Sequence, residues 1–211
     1  MDLVTRIRKN TKNLHEASEK SGIIKRIVDG NASVQSYAEY LYNLKAMYKA
    51  IEEAIENNKD NENVKAFSTP ELYKSHLIEK DLEYFLKDST DKYELLASTV
   101  ACVERIKEIS DKNPELLVAH AYTRFMADLF GGRTFIPLLG EKYSITEEGL
   151  NYYNCEGVGE IMPYVMGYGM KINNMNLSEE LQEKLIVEVS NSYIYNMGIS
   201  QELESKLYQQ K

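Results

Sequence analysis

The stretch Glu115-Leu116-Leu117-Val118-Ala119-His120-Ala121-Tyr122-Thr123-Arg124-Phe125-Met126-Ala127-Asp128-Leu129-Phe130-Gly131-Gly132-Arg133 decides the fold. Its apolar residues recur at helical period, and the pattern runs on through Phe135, Ile136, Leu138 and Leu139. The spacing predicts an amphipathic helix that carries a Gly-Gly pair inside it. Each glycine in a helix costs about 1 kcal/mol relative to alanine. Two in a row are expected where a backbone or a ligand must approach closer than a side chain permits. A helix C-cap followed by a second helix is the other reading of the pair. The continuing apolar pattern favours one kinked helix.

Working outward, nearly every segment has the same period. One helix is expected over 2–18, with Leu3, Ile7, Leu14 and Ala17 on a face, and a short one over 22–28. Ser33 caps a long helix to about 57, striped by Val34, Tyr37, Leu41, Leu44, Tyr48, Ile51 and Ile55. Thr69-Pro70-Glu71 opens a helix to about Leu86, and another covers about 91–110. Residues 146–169 look broken. Ser178-Glu179-Glu180 starts the last long helix, to about 196, and a short tail helix ends at Lys211. Period-2 alternation is nowhere sustained. An all-α, single-domain helical bundle over 1–211 is predicted.

The 211 residues carry a net charge of −8, which argues against a nucleic-acid or anionic-membrane partner. No apolar run approaches the ~20 residues of a membrane span, and the start carries no apolar signal region. The two cysteines, Cys102 and Cys155, form no metal-ligand spacing and suit a reducing compartment. A soluble cytoplasmic protein is expected.

Of the three histidines, His15 lies beside the apolar stripe of the first helix with Glu19 four residues on. That spacing puts a carboxylate on the imidazole's face, where it can fix the tautomer of a metal ligand or form only a surface ion pair. His76 reads as solvated and His120 as a satisfied core histidine. Asp128 stands four residues after Arg124 and three before Gly131. It can hold water over a ligand in the notch, although a surface salt bridge is the plainer reading of the spacing. No Glu-x-x-His occurs, which disfavours a carboxylate di-iron bundle. With so few conventional catalytic groups, chemistry is expected to belong to a bound cofactor.

Glu115–Gly132 resembles the distal-helix signature of the haem oxygenases. Thr11-Lys12-Asn13-Leu14-His15 with Glu19 resembles their proximal helix. Leu44–Asn57, Phe67–Leu82, Glu148–Tyr153 and Leu177–Asn196 are similar in order and spacing, so the resemblance spans nearly the whole chain. It implies a soluble bacterial-type haem oxygenase that cleaves haem b, both cofactor and substrate, to biliverdin, carbon monoxide and ferrous iron. O2 is the co-substrate, and a ferredoxin, flavodoxin or flavin reductase supplies electrons to a monomer.

By that resemblance His15 matches the ligand to haem iron and Glu19 the carboxylate tied to it. Asp128 matches the distal carboxylate that organises water, with Arg124 and Tyr48 in its hydrogen-bond network. Gly131 and Gly132 match the glycines lying against the haem face. Arg8, Lys12 and Tyr122 match groups near the propionates, and Tyr193 and Asn196 match pocket-lining positions. Two departures stand out. Ala127 replaces the family's usual glycine before the distal Asp. Gly169 and Val165 stand where basic propionate clamps are usual, and Lys171 lies roughly 200° round the helix from Gly169. Fewer clamps predict weaker or differently oriented haem, and the in-plane orientation decides which bridge is cleaved; the resemblance implies the usual α-bridge product. A non-catalytic haem-binding, storage or sensing protein of the same fold is the competing expectation.

Overall fold

The computed structural model describes residues 1–87 and 92–209. Eight α-helices carry the fold among them: α1 (Leu3–Ser18), α2 (Gly22–Asp29), α3 (Val34–Asn57), α4 (Ser75–Leu86), α5 (Ala97–Lys112), α6 (Leu117–Tyr143), α7 (Ile161–Asn173) and α8 (Glu179–Glu204). Among the described residues there is no strand, and no helix is long and apolar enough to cross a membrane. α3 packs on α4 and α5, while α8 packs on α1, α2, α5 and α6.

Three helices start where local sequence says they should. The Asp2 carboxylate accepts from the Thr5 N–H at 2.9 Å. Ser33 and Ser36 each accept the other's backbone N–H at 3.0 Å. Ser178 Oγ accepts from the Leu181 N–H at 3.2 Å. Each side chain satisfies a donor that the first helical turn leaves free.

α4 and α5 depart from expectation. Thr69-Pro70 opens only a 3-10 turn, Pro70–Leu72, and the chain is extended at Tyr73 before α4 starts at Ser75. The cap comes from α3: Glu52 Oε1 accepts from the N–H groups of Lys74 (2.6 Å) and Ser75 (3.0 Å). α5 begins at Ala97 and ends at Lys112; the expected start at 91 lies outside the described residues. Asn43 Oδ1 accepts from the Leu96 N–H at 2.9 Å and the Thr99 hydroxyl at 2.7 Å. Glu202 of α8 accepts from the N–H groups of Ala97 (3.0 Å) and Ser98 (2.8 Å).

α6 runs unbroken through Gly131, Gly132 and Pro137, which removes the C-cap reading of the glycine pair. Pro137 has no N–H, so the helical bond to the Arg133 carbonyl is missing there. α8 continues past Asn196 to Glu204 and closes in a π turn, Ser205–Gln209; the last two residues of the expected tail lie outside the described residues.

Leu41, Leu44, Tyr48, Ile51 and Ile55 of α3 are fully buried, as the stripe predicts, and Tyr37 nearly so. On α1, Leu3, Val4, Ile7 and Thr11 are buried, Leu14 is half-buried and Ala17 is exposed. The apolar stripe fades because the second half of α1 faces a cavity rather than the core. His120 is a core residue as expected: its Nε2 lies 3.0 Å from Glu188 Oε1, and Glu188 Oε2 also accepts from Arg105 at 2.7 Å. This buried cluster pins α5, α6 and α8 together. Among the glycines, Gly22 has no substitute. Its φ is +57°, and a Cβ there would stand 2.4 Å from the Ser200 carbonyl oxygen.

Candidate functional site

A cavity of about 840 Å³ opens between α1 and α6, with α2, α3, α8, Val165 of α7 and the 151–153 turn adding to its walls. That is within the usual size of small-molecule sites, about 300–1,000 Å³. Arg8, Lys12, His15, Glu19, Tyr122, Arg124, Ala127, Asp128, Gly131, Tyr193 and Asn196 all line it. Helical geometry explains the α1 set: Arg8, Lys12, His15 and Glu19 recur at three and four residues and share a face.

The His15 side chain is about half exposed, at 52%. Its Nε2 stands 3.7 Å from Glu19 Oε1, beyond hydrogen-bond length, and its ring meets Tyr193 edge-on at 5.9 Å. Tyr193 is itself buried, which raises its phenol pKa to about 12 and keeps it neutral.

Asp128 is only 5% exposed, so it is not the surface ion pair that spacing favoured. Its Oδ2 accepts from the Tyr48 hydroxyl, and its Oδ1 accepts from the Tyr152 hydroxyl at 2.6 Å. Arg124 Nη2 is 3.3 Å from the same Oδ1 and donates to the Tyr152 oxygen at 2.7 Å. Arg124 Nε donates to Tyr48 at 3.0 Å and Nη1 to Asn196 Oδ1 at 3.0 Å. Burial lifts the phenol pKa of Tyr48 and of Tyr152 well above the ordinary value, so both remain donors. Burial opposes the charge on Arg124, but Tyr152, Tyr48 and Asp128 outweigh it and hold the guanidinium charged.

The two glycines separate. A Cβ on Gly131 would meet only Phe135, at 4.0 Å, so this backbone lies bare to the cavity. A Cβ on Gly132 would meet the Cβ of Tyr153 at 3.5 Å. Gly132 is therefore buried against the Asn151–Tyr153 turn and is not on the cavity wall, contrary to its expected place on the ligand face. Tyr48 also lies off the wall, behind Asp128. Ala127 is on the wall, with its methyl exposed.

The cations on the wall, apart from the buried Arg124, are Arg8, Lys12 and Lys20. α7 adds an apolar wall instead: Val165 lines the cavity, Gly169 lies against Val4, and Lys171 Nζ stands 6.0 Å from the Tyr168 ring centroid. Lys20 and Tyr152 are among the wall residues that sequence reasoning missed. Tyr152 lies in a broken segment, 24 residues after Asp128, where no periodicity marks it.

This donor set suits a flat, largely apolar ligand with an anionic edge and a metal centre. Ile24, Leu41, Met126 and Phe130 supply apolar wall, the bare Gly131 backbone permits close approach, His15 offers an imidazole, and the α1 cations stand at the rim. Among the described residues no group of three or more His, Cys, Asp or Glu side chains could hold a metal ion.

Fold and site together define an all-α pocket protein with an imidazole on one helix and a buried carboxylate on another. The family model described as Heme oxygenase matches residues 1–202. Heme oxygenase 1 of Gallus gallus is 31% identical over 208 residues, covering 92% of this chain and 67% of that protein. The chain spans 63% of the length of Heme oxygenase 2 of Macaca fascicularis. The structure of heme oxygenase from Leptospira interrogans superposes with a TM-score of 0.89 at 29% identity, covering 96% of this chain and 100% of that one. Heme oxygenase-1 from the cyanobacterium Synechocystis sp. PCC 6803, in complex with heme, gives 0.92 at 26% identity, covering 99% and 95%. The chain belongs to the heme oxygenase family of enzymes.

Proposed function

We propose that this protein cleaves haem b to biliverdin, with release of carbon monoxide and ferrous iron. O2 is the co-substrate, and a ferredoxin, flavodoxin or flavin reductase supplies the electrons. The observation that carries the reading is Asp128: a buried carboxylate, held by two phenols and a guanidinium, three residues from a bare Gly131 on the same cavity wall.

His15 binds the iron, with Glu19 orienting the imidazole. Arg8, Lys12 and Tyr122 receive the propionate edge, and Tyr193 and Asn196 hold the ring from α8. Bound haem supplies the iron that activates dioxygen and the ring that is cleaved. Asp128 holds water and passes protons into the cavity. Arg124 and Tyr48 keep its carboxylate in place, and Gly131 leaves room for dioxygen. Gly132 backs the site from behind, against the 151–153 turn. The enzyme works as a cytoplasmic monomer. The Ala127 methyl on the cavity wall favours a second reading, haem storage or sensing without turnover.

The parent and Asp128→Ala together separate the two: storage predicts no bilin from the parent under reduction. If Asp128 works as proposed, the variant still binds haemin and stops forming bilin under reduction. Bilin formation at the parental rate removes Asp128 from the chemistry.

A further inference from the structure

The protons around Asp128 can be counted. Each phenol has one. Tyr48 gives its proton to Asp128 Oδ2 and Tyr152 gives its own to Oδ1. The two phenol oxygens stand 3.0 Å apart and have no further proton to share. Each instead accepts from Arg124, Tyr48 from Nε and Tyr152 from Nη2. Two parallel paths therefore run from guanidinium through phenol to carboxylate, one to each carboxylate oxygen.

The paths differ in one respect. Tyr48 lies off the cavity wall, whereas Tyr152 is on it. The Tyr152 path also has tighter links, 2.7 and 2.6 Å, than the direct Arg124–Asp128 contact at 3.3 Å.

Tyr152 is placed from elsewhere in the fold. It sits in the short Asn151–Tyr153 turn, whose backbone is gripped by the buried Asp81 of α4. Asp81 Oδ1 accepts from the N–H of Asn151 at 2.7 Å, and Oδ2 accepts from the N–H of Tyr152 at 2.8 Å. Its second carboxylate oxygen thus fixes the residue whose phenol reaches the first carboxylate, Asp128. The ring is wedged between Tyr48 at 5.9 Å and Tyr153 at 4.8 Å.

We propose that Tyr152, fixed by Asp81, is a positioning residue that orients the Asp128 carboxylate at the cavity wall and neutralises part of its charge there. The proposal rests on the haem oxygenase reading of the cavity. Without the phenol, Asp128 keeps Tyr48 and the longer Arg124 contact, and Oδ1 is free to swing or to take an extra water. A misplacement of about 1 Å in such a group costs about a hundredfold in rate.

The test is Tyr152→Phe, which keeps the ring and removes only the oxygen. The parent and the variant are loaded with haemin and compared in three measurements. Haemin affinity is expected to stay within about threefold, because the ring still packs. The kcat for bilin formation is expected to fall by about tenfold or more, with KM for haemin unchanged. The pH midpoint of the ferric complex's absorbance transition is expected to rise, because a less neutralised carboxylate beside the cavity opposes proton loss there. An unmoved midpoint with parental kcat overturns the proposal. So does a kcat loss explained by lost haemin affinity or by a lower melting temperature, since that is packing and not orientation. Failure of the haem reading would appear in the parent itself, as no spectral change on adding haemin.

Discussion

A Cβ on Gly132 would stand 3.5 Å from the Cβ of Tyr153, and one on the adjacent Gly131 would reach nothing closer than Phe135 at 4.0 Å. The two glycines therefore do different work. One faces the 151–153 turn at ordinary contact distance with no room for a larger side chain, and the other keeps a wall bare.

That division predicts opposite behaviour for two variants. Gly131→Ala fits sterically and restores helix propensity worth about 1 kcal/mol. The ligand-free protein should melt about 2–4 °C higher. Its new methyl enters the cavity, so haemin should bind more weakly. Gly132→Leu should instead lower the melting temperature by driving the turn away from α6. Thermal melts and Soret titrations of both variants check this; equal effects from the two would contradict it.

His15 and His120 are likewise separable. His15→Ala removes a half-exposed side chain, so the melting temperature should barely change while the histidine-ligated haemin spectrum disappears. His120→Ala leaves Glu188 short of a buried donor and should cost about 2 kcal/mol, with the haemin spectrum kept. A lost histidine-ligated spectrum in His120→Ala would transfer the ligand role to that residue.

Glu188 gives the fold an acid limit. Burial alone would raise its pKa, but His120, Arg105 and Asn191 outweigh burial and hold it at about 2, below the ordinary 4.5. A depressed folded-state pKa stabilises fully above the unfolded value and is lost as pH falls through the folded one. The melting-temperature advantage over Glu188→Gln should therefore shrink as pH falls between about 4.5 and 2. An advantage that persists unchanged at pH 2 would refute this.

Ala127 tests the cavity's headroom. Ala127→Gly should cost about 1 kcal/mol in helix stability. It removes a methyl from the wall beside Asp128 and should raise bilin yield per haem consumed. A yield at or below the parent's would show that the methyl does not limit the chemistry.

The helices with local caps were legible in the sequence: Asp2, Ser33 and Ser178 each stand beside the turn they cap. The starts of α4 and α5 were not, because Glu52, Asn43 and Glu202 reach them from distant helices. Lys74 shows the same limit. No local pattern marks it as buried, yet it is, with its ammonium donating to the Asn154 carbonyl at 2.5 Å. In the site, the α1 residues were readable because one helical face collects them. Arg124 and Asp128 were readable as a pair, but spacing could not tell a buried network from an exposed ion pair. Only tertiary placement brings Tyr48 and Tyr152 to the carboxylate.

The most direct test of the account is turnover by the intact protein. Haemin is added, a reductase with its electron source or ascorbate with an iron chelator is supplied in air, and the spectrum is followed. A histidine-ligated Soret band should decay as bilin absorption rises. A Soret band that persists in air under reduction would contradict it.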